Sequence, residues 1–171
     1  MTAPITNPEF TAPEGWIPAP FPRNFGRGRS FVSGEVSGDR LIVHYFSEEG
    51  SKLLRALVWF GPGAEGPPGH AHGGSMAAVL DEGMGFSGWH AGYPVVAATI
   101  TVNFRRKLPL DVVHGVECLA DRVENKKVYT SGRIYNLQSG EVYADASGLF
   151  IVQPIGSLGG PGDVSPAGQP L

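Results

Sequence analysis

The residues with the clearest potential for chemistry lie at the start of one predicted helix. The run His70-Ala71-His72-Gly73-Gly74 opens residues 73–91, whose apolar side chains recur with a helical period. The first N–H groups of a helix have no partner within it, and the helix dipole adds positive potential there. Because glycine lets an oxygen atom approach the backbone closely, Gly73 and Gly74 are candidate N–H donors for the oxyanion of an acyl-transfer reaction.

The predicted helix has two unlike faces. Its bulky face carries Met76, Val79, Leu80 and Met84, and its small-residue face carries Gly74, Ala77, Ala78, Asp81, Gly85 and Gly88. A glycine inside a helix costs about 1 kcal/mol relative to alanine, so several on one face require a close backbone or a ligand. Asp81 is the lone carboxylate on that face. It is a candidate catalytic group, and a structural hydrogen-bonding role at a helix–sheet contact is the alternative.

Other polar residues favour plainer interpretations. A Gly-Gly pair at a helix start is often only a junction, and His70 with His72 could be half of a metal site. No Cys/His/Asp cluster supplies the remaining ligands, so we expect no metal and no cofactor. Cys118 lies in an alternating strand-like run and is interpreted as a buried thiol rather than a nucleophile. Ordinary surface or strand positions are expected for the other histidines, His44, His90 and His114.

A short basic run, Arg105-Arg106-Lys107, follows the apolar stretch 95–104. Strand alternation predicts that Arg105 and Arg106 point to opposite sides. The run is either a solvated strand end or a contact for phosphate groups, which guanidinium groups bind in a fork.

Composition excludes several classes of protein. The chain has 171 residues, enough for one domain with a real core, and its net charge of −3 gives no reason to expect a nucleic-acid partner. No segment approaches the roughly 20 apolar residues that a membrane span needs, and the start lacks the pattern of a signal peptide. The single cysteine is compatible with a reducing compartment, so we expect a cytoplasmic location.

The order of predicted elements indicates an α+β domain over residues 31–153. A hairpin is predicted over 31–46 with its turn at Gly38-Asp39, and a strand over 52–60. The helix then precedes a meander of four antiparallel strands, over 95–104, 112–123, 126–136 and 141–153. The proline-rich segment 1–30 is expected to be irregular, and the Gly/Pro-rich tail 154–171 to be disordered.

One sheet and one helix must bury each other, and a sheet wrapped around a single central helix is the simplest solution. Such a layer leaves one sheet face uncovered. We expect that face to be apolar and covered by self-association, as a homodimer or a dimer of dimers.

The run HGGSMAAVLDEGMG, with the later stretches VNFRRKLPL and ADASGLFIV, resembles the hotdog-fold acyl-CoA thioesterases. The most similar group contains the phenylacetate-pathway and THEM-type thioesterases. Its hallmark is His-Gly-Gly at the start of the central helix with Asp nine positions after the His, as in His72 and Asp81 here. The resemblance covers about residues 50–153 and implies a sheet wrapped around one long helix.

The resemblance also implies roles for individual residues. The N–H of Gly73 or Gly74 would bind the thioester oxygen, and Asp81 would act as general base or as nucleophile. His72 would orient or polarise the thioester, and Thr99 would position the water. Asp81 would face the Gly-Gly of a second protomer, with acyl-CoA as the substrate. From the residues themselves, we expect the small helix face with Ala77 and Ala78 to contact the acyl group, and Arg106 or Lys107 to contact the CoA phosphates unless they form only a solvated strand end.

Two positions differ from the family's pattern. Gly66 stands where many members have Asn, and Ala97 stands where THEM-type members have Thr. Because a fold does not fix a function, a hydratase or dehydratase of the same fold and a non-catalytic acyl-CoA binding module are the alternatives. The Asp–His motif of the hydratases is not found in this sequence.

Overall fold

A computed structural model describes residues 8–20, 30–34 and 38–154. Its helix α1 spans Gly73–His90, and a short 3₁₀ turn spans Pro62–Ala64. Its strands are β1 Ile17–Pro18, β2 Leu41–Ser47, β3 Leu54–Phe60, β4 Val95–Phe104, β5 Val113–Glu124, β6 Lys127–Tyr135 and β7 Val142–Val152. The described residues leave out 1–7 and 21–29, which belong to the segment predicted as irregular. They also leave out the tail from residue 155, which is predicted to be disordered.

The described strands form one antiparallel sheet in the order β1-β2-β3-β5-β6-β7-β4. This sheet packs around α1, which contacts β3, β4, β5, β6 and β7. The predicted α+β architecture, one antiparallel sheet around one long helix, is confirmed. The predicted strand over 52–60 is also confirmed.

Two details of strand pairing differ from the prediction. β4 does not continue into a four-stranded meander: it pairs with β7, and β5 pairs with β3 and β6. The reason is that residues 105–112 form a long connection and not a tight turn, with Leu108 fully buried and its carbonyl bonded to the Ala71 N–H at 2.9 Å. Residues 31–34 form a turn and not the first strand of a hairpin, and 35–37 lie outside the described residues.

The core lies between the helix and the inner face of the sheet. The helix buries its bulky side chains there, among them Met76, Leu80 and Met84. Cys118 is 2% exposed beneath the helix, where a Cβ on Gly83 would lie 2.8 Å from its sulfur. Burial raises the pKa of this thiol. The interpretation of Cys118 as a buried thiol is therefore confirmed.

The outer face of the sheet differs from the apolar surface that the sequence predicts. A polar row crosses five strands in direct register, from Arg55 through Glu117, Arg133 and Asp145 to Asn103. Arg55 and Arg133 both pair with Glu117, the latter at 2.6 Å. These charges satisfy one another across the strands, so this half of the face needs no apolar cover.

The other half of the outer face is covered by the chain itself. β1 pairs with β2, and the Ala19 N–H donates to the Tyr45 carbonyl at 2.9 Å. The Trp16 ring packs against Phe46 with centroids 5.5 Å apart. Part of the segment predicted as irregular therefore closes the β2–β3 end of the sheet.

At the opposite end, β4 is a ten-residue edge strand that pairs only with β7 among the described strands. Most of its residues are exposed, including Val96 at 42% and Phe104 at 54%, and it contains no charge and no proline. Natural proteins usually protect such an edge, because its unpaired N–H and C=O groups template pairing with another strand.

Candidate active site

His72 caps the helix through its own ring. Its backbone is extended, with φ −65° and ψ 138°, and its Nδ1 accepts the Gly74 N–H at 2.9 Å. Because that donor is a backbone N–H, Nδ1 carries no proton and a neutral ring bears its proton on Nε2. The Gly74 amide is therefore already used. Among the described residues none accepts the Gly73 N–H, so the structure favours Gly73 over Gly74 as an oxyanion donor.

The loop before the helix fixes His72 from two sides. The His72 N–H donates to the Ala64 carbonyl at 2.8 Å, and the Ala71 N–H donates to Leu108. A Cβ on Gly66 would lie 2.7 Å from the His72 Cα, a distance that real Cβ atoms do not tolerate. The glycine at this position, where the resembling family often has Asn, thus lets the loop backbone pack directly on His72.

Phe104 joins the end of β4 to the start of the helix. A Cβ on Gly73 would lie 3.3 Å from the Phe104 ring, which is itself 54% exposed. An aromatic ring thus borders the Gly73 amide while leaving one side open to solvent.

Asp81 is a half-buried carboxylate without a hydrogen-bond partner or ion pair among the described residues. Burial raises its pKa, and the neighbouring charge of Glu82 adds to that increase. Buried carboxylates are normally hydrogen-bonded, so an unpaired one with a raised pKa is a candidate for proton transfer.

The small-residue face is not an open slot along its whole length. A Cβ on Gly85 would lie 3.3 Å from the Phe150 ring, and one on Gly88 would lie 2.7 Å from Val95. Sheet side chains therefore fill the face beyond Asp81. Ala77 and Ala78, on the N-terminal side of Asp81, are half-buried, so the accessible part of this face lies between Asp81 and the helix start.

Asp81 and Gly73 cannot meet within one chain. They are eight residues apart on the same helix, which places them about 12 Å apart along its axis. A single carbonyl group can be touched by both only if a second copy of the chain supplies one of them.

Thr99 is not brought to the helix. It follows a bulge at Ala98 in β4 and is exposed. By alternation it shares a sheet face with Asn103, whose amide bonds to Asp145 at 3.0 Å on the outer side, whereas Ile100 packs on the core. The bulge turns Thr99 away from the helix of its own chain, because it changes which residues of this strand face that helix. Its role in positioning a water stays a prediction.

The basic run at the end of β4 already has acidic partners. Arg105 pairs with Asp145 at 2.5 Å, and Arg106 pairs with Glu141 at 2.7 Å. The Arg105 hydrogen bond lowers the pKa of Asp145. Only Lys107 in this run is without an acidic partner in the described part of the chain. Repulsion among the three cations is thus relieved without a ligand.

Sequence reasoning missed two groups. Glu82 accepts hydrogen bonds from Tyr45 at 3.1 Å and from Ser30. Its only signal in the sequence was its place directly after Asp81. His114, expected to be ordinary, is fully buried, and its Nε2 contacts the Pro109 carbonyl at 3.1 Å. Burial lowers the pKa of His114.

Within residues 8–20, 30–34 and 38–154, no group of three His, Cys, Asp or Glu side chains is placed to hold a metal ion. The same described residues contain no helix that is long and apolar enough to cross a membrane.

The comparisons with known proteins agree on one family. Residues 68–143 match the family model of the thioesterase superfamily. The human acyl-coenzyme A thioesterase THEM5 is 31% identical over 163 residues, which cover 84% of this chain and 66% of that protein. The chain therefore spans only part of the length of the curated relatives that it matches, 66% of this one and 50% of another.

Solved structures show the same fold. A crystal structure of a thioesterase superfamily protein is 27% identical, with a TM-score of 0.61, covering 64% of this chain and 53% of that one. A hypothetical thioesterase protein from Streptococcus pneumoniae, solved with coenzyme A, is 17% identical, with a TM-score of 0.59. It covers 65% of this chain and 88% of its own. At that identity the likeness shows the fold alone.

Proposed function

Since the chain belongs to the thioesterase superfamily with the hotdog fold, we propose that it hydrolyses acyl-CoA to a free acid and CoA. The observation that carries this proposal is Asp81, a half-buried carboxylate with a raised pKa and no hydrogen-bond partner among the described residues. The name of the human relative and the coenzyme A in the streptococcal structure support the choice of a CoA thioester.

Asp81 acts as the general base. It accepts a proton from water as the water oxygen attacks the thioester carbonyl carbon. A raised pKa strengthens a carboxylate as a proton acceptor at neutral pH, provided that it is ionised before the reaction. The C–S bond of the tetrahedral intermediate then breaks, protonated Asp81 returns its proton to the departing CoA sulfur, and the acyl group leaves as a carboxylic acid.

The start of the helix binds the developing oxyanion. The Gly73 N–H has no acceptor in the described part of the chain and lies where the helix dipole is positive. His72, with Nδ1 committed to the Gly74 N–H, presents its Nε2–H as a second donor that polarises the carbonyl. Both donors are fixed before substrate arrives, which is the condition for effective electrostatic stabilisation.

The site is shared between two protomers, with Asp81 of one chain facing Gly73 of the other. The separation of about 12 Å within one helix supports this arrangement. The exposed edge of β4, whose last residue Phe104 borders Gly73, supplies a strand through which two copies can pair.

A screen of free-thiol release tests this function. The native protein is given acyl-CoA substrates of increasing chain length, together with an aromatic acyl-CoA and an enoyl-CoA. Hydrolysis predicts thiol release that is stoichiometric with free acid. A hydratase would consume the enoyl double bond without releasing thiol, and a binding module would bind the substrates but do neither.

A further inference from the structure

The carboxylate of Glu82 is held in one place by three donors from two other elements. Tyr45 of β2 donates its hydroxyl at 3.1 Å, the Ser33 N–H donates at 3.4 Å, and the Ser30 hydroxyl also donates. The turn 30–34 is anchored further by Val32, which is buried in the core. Glu82 therefore cannot swing away from the helix as an exposed glutamate would.

The carboxylate of Glu82 stands directly after Asp81 on the same helix. The turn 30–34 contributes to it only a hydroxyl and an N–H, and none of the described cations pairs with it. Among the described residues, its titratable neighbours are Asp81, which precedes it, and Tyr45 of β2, whose hydroxyl donates to it. Burial is the main cause that raises the pKa of Tyr45, so this neighbour is neutral at ordinary pH. The Glu82 carboxylate thus has no cationic partner in the described part of the chain.

We propose that Glu82 is a positioning residue for the reaction: held by Ser30 and Tyr45 directly beside Asp81, its carboxylate makes Asp81 a stronger base. The proposal rests on the proposed function of Asp81. This role for Glu82 explains why its hydrogen-bonded carboxylate stands beside the unpaired carboxylate of Asp81 on one helix. Without such a role, the two like charges would only repel.

The sign of the effect follows from the electrostatics. Burial is the larger cause of the raised pKa of Asp81, and the charge of Glu82 is the second. A neighbouring negative charge disfavours ionised Asp81. The acid limb of the pH profile, where activity falls because Asp81 becomes protonated, therefore lies at higher pH than it would without Glu82. In exchange, the ionised base accepts a proton more readily near neutral pH.

The test is the pH dependence of kcat/KM for acyl-CoA hydrolysis by the full chain. Glu82→Gln removes the charge and keeps an acceptor for Tyr45. Its acid limb should move to lower pH, so the ratio of its kcat/KM to that of the native protein rises as pH falls. At the same time its plateau should lie below the native one, because Asp81 has become a weaker base. An acid limb at the native pH in folded Glu82→Gln, even with a lowered Tm, would mean that Glu82 is only structural.

Two further variants keep the proposal testable if Glu82→Gln does not fold. Glu82→Asp and Tyr45→Phe both retain the negative charge and should retain the native acid limb. A limb displaced to lower pH in either variant would overturn the proposal. Asp81→Asn distinguishes a failure of the proposed function from a failure of the proposal for Glu82. If hydrolysis persists in Asp81→Asn, Asp81 is not the base. If Asp81→Asn loses activity while Glu82→Gln keeps the native acid limb, Asp81 remains the proposed base and only the role of Glu82 is rejected.

Discussion

His72 takes part in two contacts that a substitution can separate. Its Nδ1 caps the helix through Gly74, and its Nε2–H is the proposed donor to the thioester. Asn is a strong helix cap, but its shorter side chain has no N–H at the position of Nε2. Ala provides neither the cap nor the donor. His72→Asn should therefore keep the native Tm, and His72→Ala should lose about 1 kcal/mol of unfolding free energy.

Activity should fall in both variants, by about tenfold or more, if His72 polarises the substrate. Thermal melts and thiol-release rates measured on the same samples check this. Native activity in His72→Asn would restrict His72 to capping.

Gly73 allows a backbone donor to be removed by mutation. It is the first residue of the helix, a position that accepts proline, and the preceding His72 already has the extended backbone that proline requires. Gly73→Pro deletes the N–H and should lower kcat by about 100-fold, the usual cost of losing one oxyanion donor.

Gly73→Ala is the matched control for that loss. It retains the N–H and adds a Cβ 3.3 Å from the Phe104 side chain, which a small movement of the ring accommodates. Single-turnover rates compare the two variants. Similar losses in both would assign the effect to crowding by Phe104 and not to the missing donor.

At the scale of elements, the end of β4 carries the proposed contact with the CoA phosphates. Lys107 has no acidic partner among the described residues, and Arg106 is in an exposed pair with Glu141 that a phosphate can replace. Lys107→Ala and Arg106→Ala should each raise KM for acyl-CoA at low salt, up to about fivefold, which corresponds to about 1 kcal/mol.

That penalty should shrink at high salt and vanish with a short acyl thioester that lacks the nucleotide. Lys126→Ala, at the exposed β5–β6 turn, is the control for a general loss of charge. An equal rise in KM for both substrates would point to a folding defect.

The sequence predicts most elements, because their signals are local. The period of the helix, its glycine-rich start and the alternation within strands all lie within short windows, so α1 and the strands from β3 to β7 were placed to within a few residues. Strand order is not local. β4 pairs with β7 because residues 105–112 dock on the loop before the helix, a tertiary contact that no window of sequence contains.

The candidate site was predictable to a similar extent. Residue types and spacing singled out Asp81 and the helix start as candidates, and the family resemblance assigned their roles, which stay predictions. The bulge at Ala98, which turns Thr99 to the outer face, and the turn 30–34, which fixes Glu82, depend on contacts between distant segments. Neither feature has a signal within a short window of the sequence.

At the scale of the whole molecule, the proposed shared site depends on two copies pairing along the edge of β4. Val96 is 42% exposed on that edge, and lysine on an edge strand opposes pairing with another strand. Val96→Lys should convert a native dimer into a monomer and lower activity, with recovery as protein concentration rises.

Val112→Lys introduces the same charge at a residue of similar exposure, 43%, that lies off the edge, and should leave both properties unchanged. Sedimentation velocity and activity across a concentration series measure both variants. A fully active native monomer would rule out the shared site.

The central claim is that Asp81 is the base for thioester hydrolysis, and its most direct test is the rate of thiol release by Asp81→Asn. This change is nearly isosteric and removes the proton acceptor, so kcat should fall by at least about 100-fold in a protein with native Tm and oligomeric state. Asp121→Asn, an exposed aspartate on β5, is the matched control and should keep native activity. Near-native hydrolysis by folded Asp81→Asn would contradict the account.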